Sequence, residues 1–277
     1  MLKIGIITNL DKDKGLKVTS QVIDVLTKEN IEVILESECE NIYKFSDILI
    51  TIGGDGTILR VAQEAIIYNI PILGINLGRL GFLADIEALE IDKLITKKNI
   101  LQAKIEERMM LNTIVSNKYR YLSLNETSLI RSFSSRITEF EISINNKIFD
   151  IYPADGILIS TPTGSTAYNM SAGGPIVIPT STNIILTPIC PHTIYSRSIV
   201  LTEEDVISIK LLGQEELSLC IDGVVRMPIN KNNTIQISKS HQKIKLLKLS
   251  NRDFFEIFSK KIFKKGDSYG NEKAKTI

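Results

Sequence analysis

The chain has 277 residues, with 33 Lys plus Arg against 32 Asp plus Glu and a formal charge of +1. Its 43% hydrophobic and 23% charged content is ordinary globular usage, which excludes a disordered chain, a collagen and a disulfide miniprotein. The even charge balance gives no global pull toward nucleic acid or an anionic membrane, so neither is expected as a partner. No apolar run approaches the ~18 residues of a membrane span. Met1-Leu2-Lys3-Ile4-Gly5 leads straight into a strand-like segment, so no signal peptide is expected. Cys39, Cys190 and Cys220 are odd in number and far apart, which suits reduced thiols and a cytoplasmic location. With only His192 and His241 in the chain, a His/Cys zinc site or a His-based triad is not expected.

In chain order, residues 2–8 (LKIGIIT) read as a buried strand and 14–29 as a helix. Residues 31–35 and 47–52 (DILITI) read as further strands. Residues 58–68 place Ile58, Val61, Ala62, Ala65 and Ile66 on one helical face, and 72–75 (ILGI) follow as a strand. This alternation predicts a parallel, Rossmann-like α/β domain over 1–103. From residue 104 period-2 alternation takes over. Phe140, Ile142 and Ile144 alternate with polar residues, Asn145-Asn146 supplies a turn, and Ile148 resumes, which is a hairpin signal. Residues 205–212, 217–221, 233–237 and 243–249 also read as strands. The expectation is a mostly antiparallel β domain over 104–250. A closing helix at 251–260 carries Phe254, Phe255, Ile257 and Phe258, and a polar tail follows at 261–277.

The string Gly53-Gly54-Asp55-Gly56-Thr57 joins an apolar strand to an amphipathic helix. Glycines let backbone N–H groups approach a ligand, and the helix N-terminus aims its free N–H groups and dipole at the same place. Such turns lie at the carboxyl ends of strands, where open α/β sheets bind ligands. No Gly-Lys-Ser/Thr follows, so this is not a Walker A loop. A carboxylate at its centre repels phosphate unless a metal intervenes or it acts as a base on a hydroxyl. The plain alternative is a tight turn in which Asp55 caps the helix.

The second unusual stretch runs from Ser160 to Pro175 (STPTGSTAYNMSAGGP), after Asp155-Gly156 and an apolar Ile157-Leu158-Ile159 strand. Small hydroxyl side chains let a ligand reach the backbone, Tyr168 can stack on a ring, and a short helix is expected from Gly164. The alternative is a Ser/Thr-rich loop. Asn125-Glu126 at a strand end can bond ribose hydroxyls or simply form a turn, and Asp222-Gly223 reads equally well as a hairpin turn. His192, in Pro191-His192-Thr193, reads as a structural hydrogen-bonder.

Together these strings resemble the NAD kinase family, the bacterial-type ATP-NAD kinases, from Ile4 to about Phe258. The carriers are GGDGT at 53–57, the 76–83 segment NLGRLGFL, Asn125-Glu126, Asp155-Gly156, TPTGSTAY at 161–168, SAGGP at 171–175 and Pro191-His192-Thr193. GGDGT alone is shared with diacylglycerol-type lipid kinases; the ordered combination is specific. The resemblance implies an α/β domain, a β domain and a final helix packed back on the first. It implies transfer of the γ-phosphate of ATP, or of polyphosphate, to the 2′-hydroxyl of the adenosine ribose of NAD, with a divalent metal such as Mg2+. It implies a homodimer or homotetramer.

By the same resemblance Asp55 is the general base and, with Gly56, part of the dinucleotide site. Arg60 is a substrate contact. Asn125 and Glu126 hold ribose and phosphate groups, and Asp155 lies at the nicotinamide end. Thr166, Ala167, Tyr168, Asn169, Met170 and Ser171 form the adenine and ribose pocket. Gly53, Gly54 and Thr57 belong to the phosphate-donor loop, and Arg79 with Gly78 and Gly81 is a further candidate there. Metal ligands are not identified. Two departures concern peripheral contacts: Pro153 stands where many members have Arg, and Val224 follows Asp222-Gly223 where many have Gln. Two competing readings are a lipid kinase and a non-catalytic NAD(P)-binding sensor with the same pocket.

Overall fold

The computed structural model describes residues 1–78, 81–131, 137–193, 196–213 and 216–262. The fold is mixed α/β, with a parallel sheet and antiparallel sheets. It divides into two compact units, Met1–Glu107 with Lys245–Ile277, and Arg108–Ile244.

The first unit contains β1 (Lys3–Thr8), α1 (Lys17–Lys28), β2 (Glu32–Leu35), α2 (Ile42–Phe45), β3 (Ile48–Gly53), α3 (Asp55–Ile67) and β4 (Ile72–Asn76). Short elements follow: β5 (Ile86–Glu87), α4 (Ile91–Leu94) and α5 (Lys97–Leu101). Strands β2, β1, β3 and β4 lie side by side and parallel, with Ile4 opposite Ile48 and Leu49 opposite Ile72. Every residue of β3 and β4 is buried, so their apolar runs have no polar alternation. Val22 and Leu26 of α1 join Ile4, Ile6, Ile50, Ile52, Leu73 and Ile75 in one core. Ile58 of α3 packs on Gly74, which points to the opposite face from its neighbours Leu73 and Ile75. A Cβ on Gly74 would lie 2.7 Å from Ile58 Cδ1. Helix α1 starts later than the periodicity suggests, because Gly15 and Leu16 take positive φ and break the regular turn ahead of Lys17. Helix α3 starts earlier, at Asp55, because Asp55-Gly56-Thr57 carries no apolar periodicity to reveal the first turn.

In the second unit, β8 (Glu126–Arg131), β11 (Gly156–Ser160), β12 (Ile184–Ile189), β13 (Ile199–Leu201), β15 (Leu217–Ile221) and β16 (Val224–Ile229) form an antiparallel sheet. Its order is β13-β12-β11-β8-β15-β16. Strands β9 (Thr138–Ile144), β10 (Lys147–Ala154), β14 (Ile207–Leu211) and β17 (Ile235–Lys248) pair antiparallel in the order β10-β9-β14-β17. A ribbon of β6 (Lys104–Val115) and β7 (Tyr119–Ser123) is also antiparallel. Phe140, Ile142, Ile207 and Ile237 share one core with Leu129, Ile157, Ile159 and Leu219 from the six-stranded sheet. Asn145 and Asn146 both take positive φ, as a two-residue hairpin turn requires.

The 233–237 and 243–249 segments are parts of one strand, β17, because its polar middle, Ser238–Gln242, masks the continuity. Its last residues belong to the first unit, where Leu246 pairs with Ile72. Helix α6 (Tyr168–Ser171) is one turn in the second unit, and α7 (Phe254–Ile262) closes the described chain in the first. Residues of the expected tail from 263 onward lie outside the described residues, as does Arg79. Cys39, Cys190 and Cys220 are free thiols. Among the described residues no helix is long and apolar enough to cross a membrane.

Candidate active site

In the first unit β3 ends at Gly53, Gly54 is fully extended and serves as N-cap, and α3 begins at Asp55. The N–H of Gly54 donates to Thr57 Oγ1 at 3.4 Å, and the Thr57 N–H to the Gly54 carbonyl at 2.8 Å. Asp55 therefore does not cap its own helix. Its Oδ2 accepts the Phe82 N–H at 2.8 Å, and its Oδ1 accepts those of Leu83 at 3.0 Å and Ala84 at 3.2 Å. Three backbone bonds and a helix N-terminus hold the carboxylate in one orientation. Each carboxylate oxygen can accept about two bonds. Among the described residues Oδ1 takes two backbone donors and Oδ2 one. The backbone at Gly81 comes so close that a Cβ there would stand 2.0 Å from Oδ1. Gly56 is exposed with open space around it, Gly53 and Gly54 are buried, and Thr57 is buried with its hydroxyl turned back on the loop. Arg60, half-exposed on α3, is engaged elsewhere: its guanidinium bonds Glu36 at 2.9 and 3.3 Å.

In the second unit the chain turns at Asn125, and Glu126 opens β8. Asp222, at the β15–β16 hairpin with positive φ, accepts the N–H groups of Leu124 at 2.9 Å, Asn125 at 2.7 Å and Glu126 at 3.2 Å. It is thus both a turn residue and the clamp of the Asn125-Glu126 corner. Burial pushes the Asp222 carboxyl above its ordinary range, against the pull of those N–H groups and of Arg226. Glu126 is 4% exposed, and its Oε2 has no hydrogen-bond partner among the described residues. Burial, with the charge of Asp222 beside it, raises its pKa to about 8. A buried carboxyl oxygen without a partner is costly unless some group supplies the missing bond.

Thr161 ties the hydroxyl run to the same corner. Its hydroxyl donates to the Leu124 carbonyl at 2.6 Å and its N–H to the Asn125 carbonyl at 2.9 Å. Thr163–Thr166 form a 3-10 turn and Tyr168–Ser171 a single helical turn, so the expected short helix arrives in two pieces. Tyr168 and Ser171 are exposed, and Thr166, Ala167 and Met170 are half-buried. Asn169 is fully buried and internally bonded: it donates to the Pro175 carbonyl at 3.0 Å and accepts from Thr187 Oγ1 at 2.7 Å. Burial pushes the Tyr168 phenol up, helped by Cys190, Cys220, Glu126 and Asp155. Asp155 faces Arg131, with Nη2 and Oδ1 3.1 Å apart. That guanidinium comes from the end of β8, the strand paired with β11, and Pro153 stands two residues before Asp155. The N–H of His192 donates to the Pro153 carbonyl at 2.8 Å.

Several residues make contacts here that the sequence reading did not assign to them. Phe82, Leu83 and Ala84 act through backbone groups that no side-chain pattern reveals. Arg131 needed the β8–β11 register, in which Gly156 pairs with Ile130. Asp222 was visible only as a turn. Among the described residues no cluster of three His, Cys, Asp or Glu side chains forms a metal cage.

Residues 39–102 match the ATP-NAD kinase N-terminal domain model, and residues 124–249 match the C-terminal domain model. The chain is 40% identical over 280 residues to an NAD kinase of Caldanaerobacter subterraneus subsp. tengcongensis, covering 95% of this chain and 99% of that one. It is 38% identical over 289 residues to an NAD kinase of Acetivibrio thermocellus, covering 97% and 99%. Among solved structures it resembles a yeast NADH kinase complexed with NADH, with TM-score 0.82 and 25% identity over 94% of this chain and 86% of that one. An Archaeoglobus fulgidus NAD kinase in complex with ATP gives TM-score 0.74 and 25% identity over 92% and 98%. On these matches, which span both units and nearly the whole length, the chain belongs to the ATP-NAD kinase family.

Proposed function

We propose that this chain phosphorylates the 2′-hydroxyl of the adenosine ribose of NAD, with ATP or polyphosphate as donor, to give NADP. The observation that carries this reading is the Asp55 carboxylate, held by three backbone N–H groups at the start of α3. In this reading the ribose hydroxyl gives its proton to Oδ2 as its oxygen attacks the γ-phosphorus. A new P–O bond forms, the bond from the γ-phosphorus to the β–γ bridging oxygen breaks, and ADP leaves. Gly53, Gly54, Gly56 and Thr57 bring backbone donors at the start of α3 to the transferred phosphate. Asn125, Glu126, Asp155 and Thr166–Ser171 bind the dinucleotide. At neutral pH Glu126, with a pKa of about 8, carries its proton and offers a donor to a ligand oxygen. Asn169 holds the Tyr168–Ser171 turn in place through its bonds to the Pro175 carbonyl and Thr187 Oγ1. A divalent cation such as Mg2+, bound with the nucleotide, would neutralise charge on the phosphates. We propose further a homodimer or homotetramer working in the cytoplasm, where the three free thiols stay reduced.

The test mixes the purified protein with ATP, magnesium and NAD and follows NADP through an NADP-specific dehydrogenase. Magnesium-dependent NADP formation is expected. NAD binding without NADP formation from either ATP or polyphosphate would favour a sensor. Phosphorylation of a diacylglycerol but not of NAD would favour the lipid-kinase reading.

A further inference from the structure

The orientation of Asp55 depends on a segment outside any helix or strand. Phe82, Leu83 and Ala84 give their N–H groups to the carboxylate, and all three lie in the connection between β4 and β5. Lys261, on the last turn of α7, has Nζ 4.0 Å from Oδ2, beyond hydrogen-bond reach, so the three N–H groups set the orientation. A connecting backbone holds a site to sub-ångström precision only where the groups behind it are themselves fixed.

Asp85 follows directly and anchors that segment. It is 3% exposed, and its N–H donates to the Gly74 carbonyl of β4 at 2.9 Å. Its Oδ2 accepts the N–H groups of Leu249 at 2.6 Å and Ser250 at 2.8 Å. Its Oδ1 accepts the Ser250 hydroxyl at 2.9 Å and lies 3.3 Å from Lys248 Nζ. Arg252 donates to the Asp85 carbonyl at 3.1 Å. Ile86 then pairs with Ile75, which continues the sheet beside β4. Ala84 rests on Gly74, where a Cβ would stand 2.8 Å from the Ala84 Cα. One buried side chain therefore joins the segment that faces Asp55 to the chain leaving β17. Its loss would leave two backbone N–H groups, a hydroxyl and an ammonium without this acceptor.

We propose that Asp85 is a positioning residue for Asp55: by gathering the 248–250 chain onto its carboxyl group, it holds residues 82–84 where their three N–H groups orient the Asp55 carboxylate. Asp85 acts through that backbone and not on substrate. The effect on rate rests on the reading of Asp55 as the base. A reacting group misplaced by about 1 Å loses on the order of 10²-fold in rate. Freeing one end of the segment should lower kcat and leave the Michaelis constants for NAD and ATP near wild type, because it disturbs the proton acceptor and not ligand binding.

The experiment is a double-mutant cycle on the full chain: wild type, Asp85→Asn, Asp55→Asn and the double variant, with Asp85→Ala beside them. Asparagine keeps one acceptor oxygen and alanine keeps none. The kcat of Asp85→Asn is expected to fall about 10-fold and that of Asp85→Ala up to about 10²-fold. Asp85→Asn carries the test if Asp85→Ala does not fold. In the Asp55→Asn background the Asp85→Asn change should cost less than about twofold, since residues acting as one unit are not additive. A merely structural role lowers the active fraction by the same factor in both backgrounds. That equal loss, or no loss in the wild-type background, would overturn the proposal. Amide hydrogen exchange reads the segment without turnover. Asp85→Asn is expected to speed exchange at Phe82, Leu83 and Ala84, and unchanged protection there would also overturn it. Wild-type turnover by Asp55→Asn, with protection at 82–84 still lost in Asp85→Asn, would remove the base reading alone.

Discussion

Asp55 and Glu126 carry the same carboxyl group in opposite surroundings. Asp55 meets three N–H donors, a helix N-terminus and the Lys261 ammonium. Glu126 is buried, has an oxygen without a hydrogen-bond partner among the described residues and lies beside the acidic Asp222. The first environment surrounds the carboxylate with backbone donors and a cation. The second opposes charge and suits a group that keeps its proton and donates a hydrogen bond. Residue type alone does not separate these roles; the donors and charges around each carboxyl do.

The strongest way to break the comparison from the Asp55 side leaves Asp55 in place. Gly81→Ala puts a Cβ where Oδ1 now sits, at 2.0 Å, and must displace either the carboxylate or the 81–84 segment. A misplacement of about 1 Å costs on the order of 10²-fold in rate, so kcat should fall by about that factor. Steady-state assay beside a thermal melt checks this, because the loss should exceed what the change in Tm explains.

From the Glu126 side the comparison is sharpened by pH. The folded-state pKa, about 8, lies above the ordinary value of 4.5. The folded protein therefore holds this proton over an interval where the unfolded chain has released it. The associated stability is full below about pH 4.5 and is lost as pH rises through 8. Urea unfolding of wild type from pH 5 to 8.5 should show a decline of up to a few kcal/mol that Glu126→Gln largely removes. The smallest effect is expected at an exposed ion pair. Arg60→Ala breaks a half-exposed pair with Glu36 and should cost no more than about 1 kcal/mol in the same unfolding assay.

Much of this was legible in the residues. The buried runs at 48–53 and 72–76 announced parallel strands because neither face needs polar residues. GGDGT stood out as a strand-to-helix turn, although Gly54 rather than Asp55 proved to be the cap. The short helices α2, α4 and α5 span five residues or fewer, too few to display a helical period. Strand β16 has mostly exposed residues and so no apolar alternation to read. The contacts that give the carboxyls their characters are long-range. Asp222 reaches Leu124 across 98 positions, and Lys261 joins Asp55 from the far end of the chain. Neither pairing has a local signature, since side chains so distant in sequence meet only through the fold.

The central claim is that environment assigns these two carboxyls different work, and paired amide substitutions test it most directly. Asparagine and glutamine keep the shape and remove the charge. At pH 7, with NAD and ATP saturating, kcat of Asp55→Asn should fall by about 10²–10⁴-fold. That of Glu126→Gln, which replaces a neutral group by a neutral group, should stay within a few-fold of wild type. Wild-type turnover by Asp55→Asn, or an equal collapse in Glu126→Gln, would contradict the account.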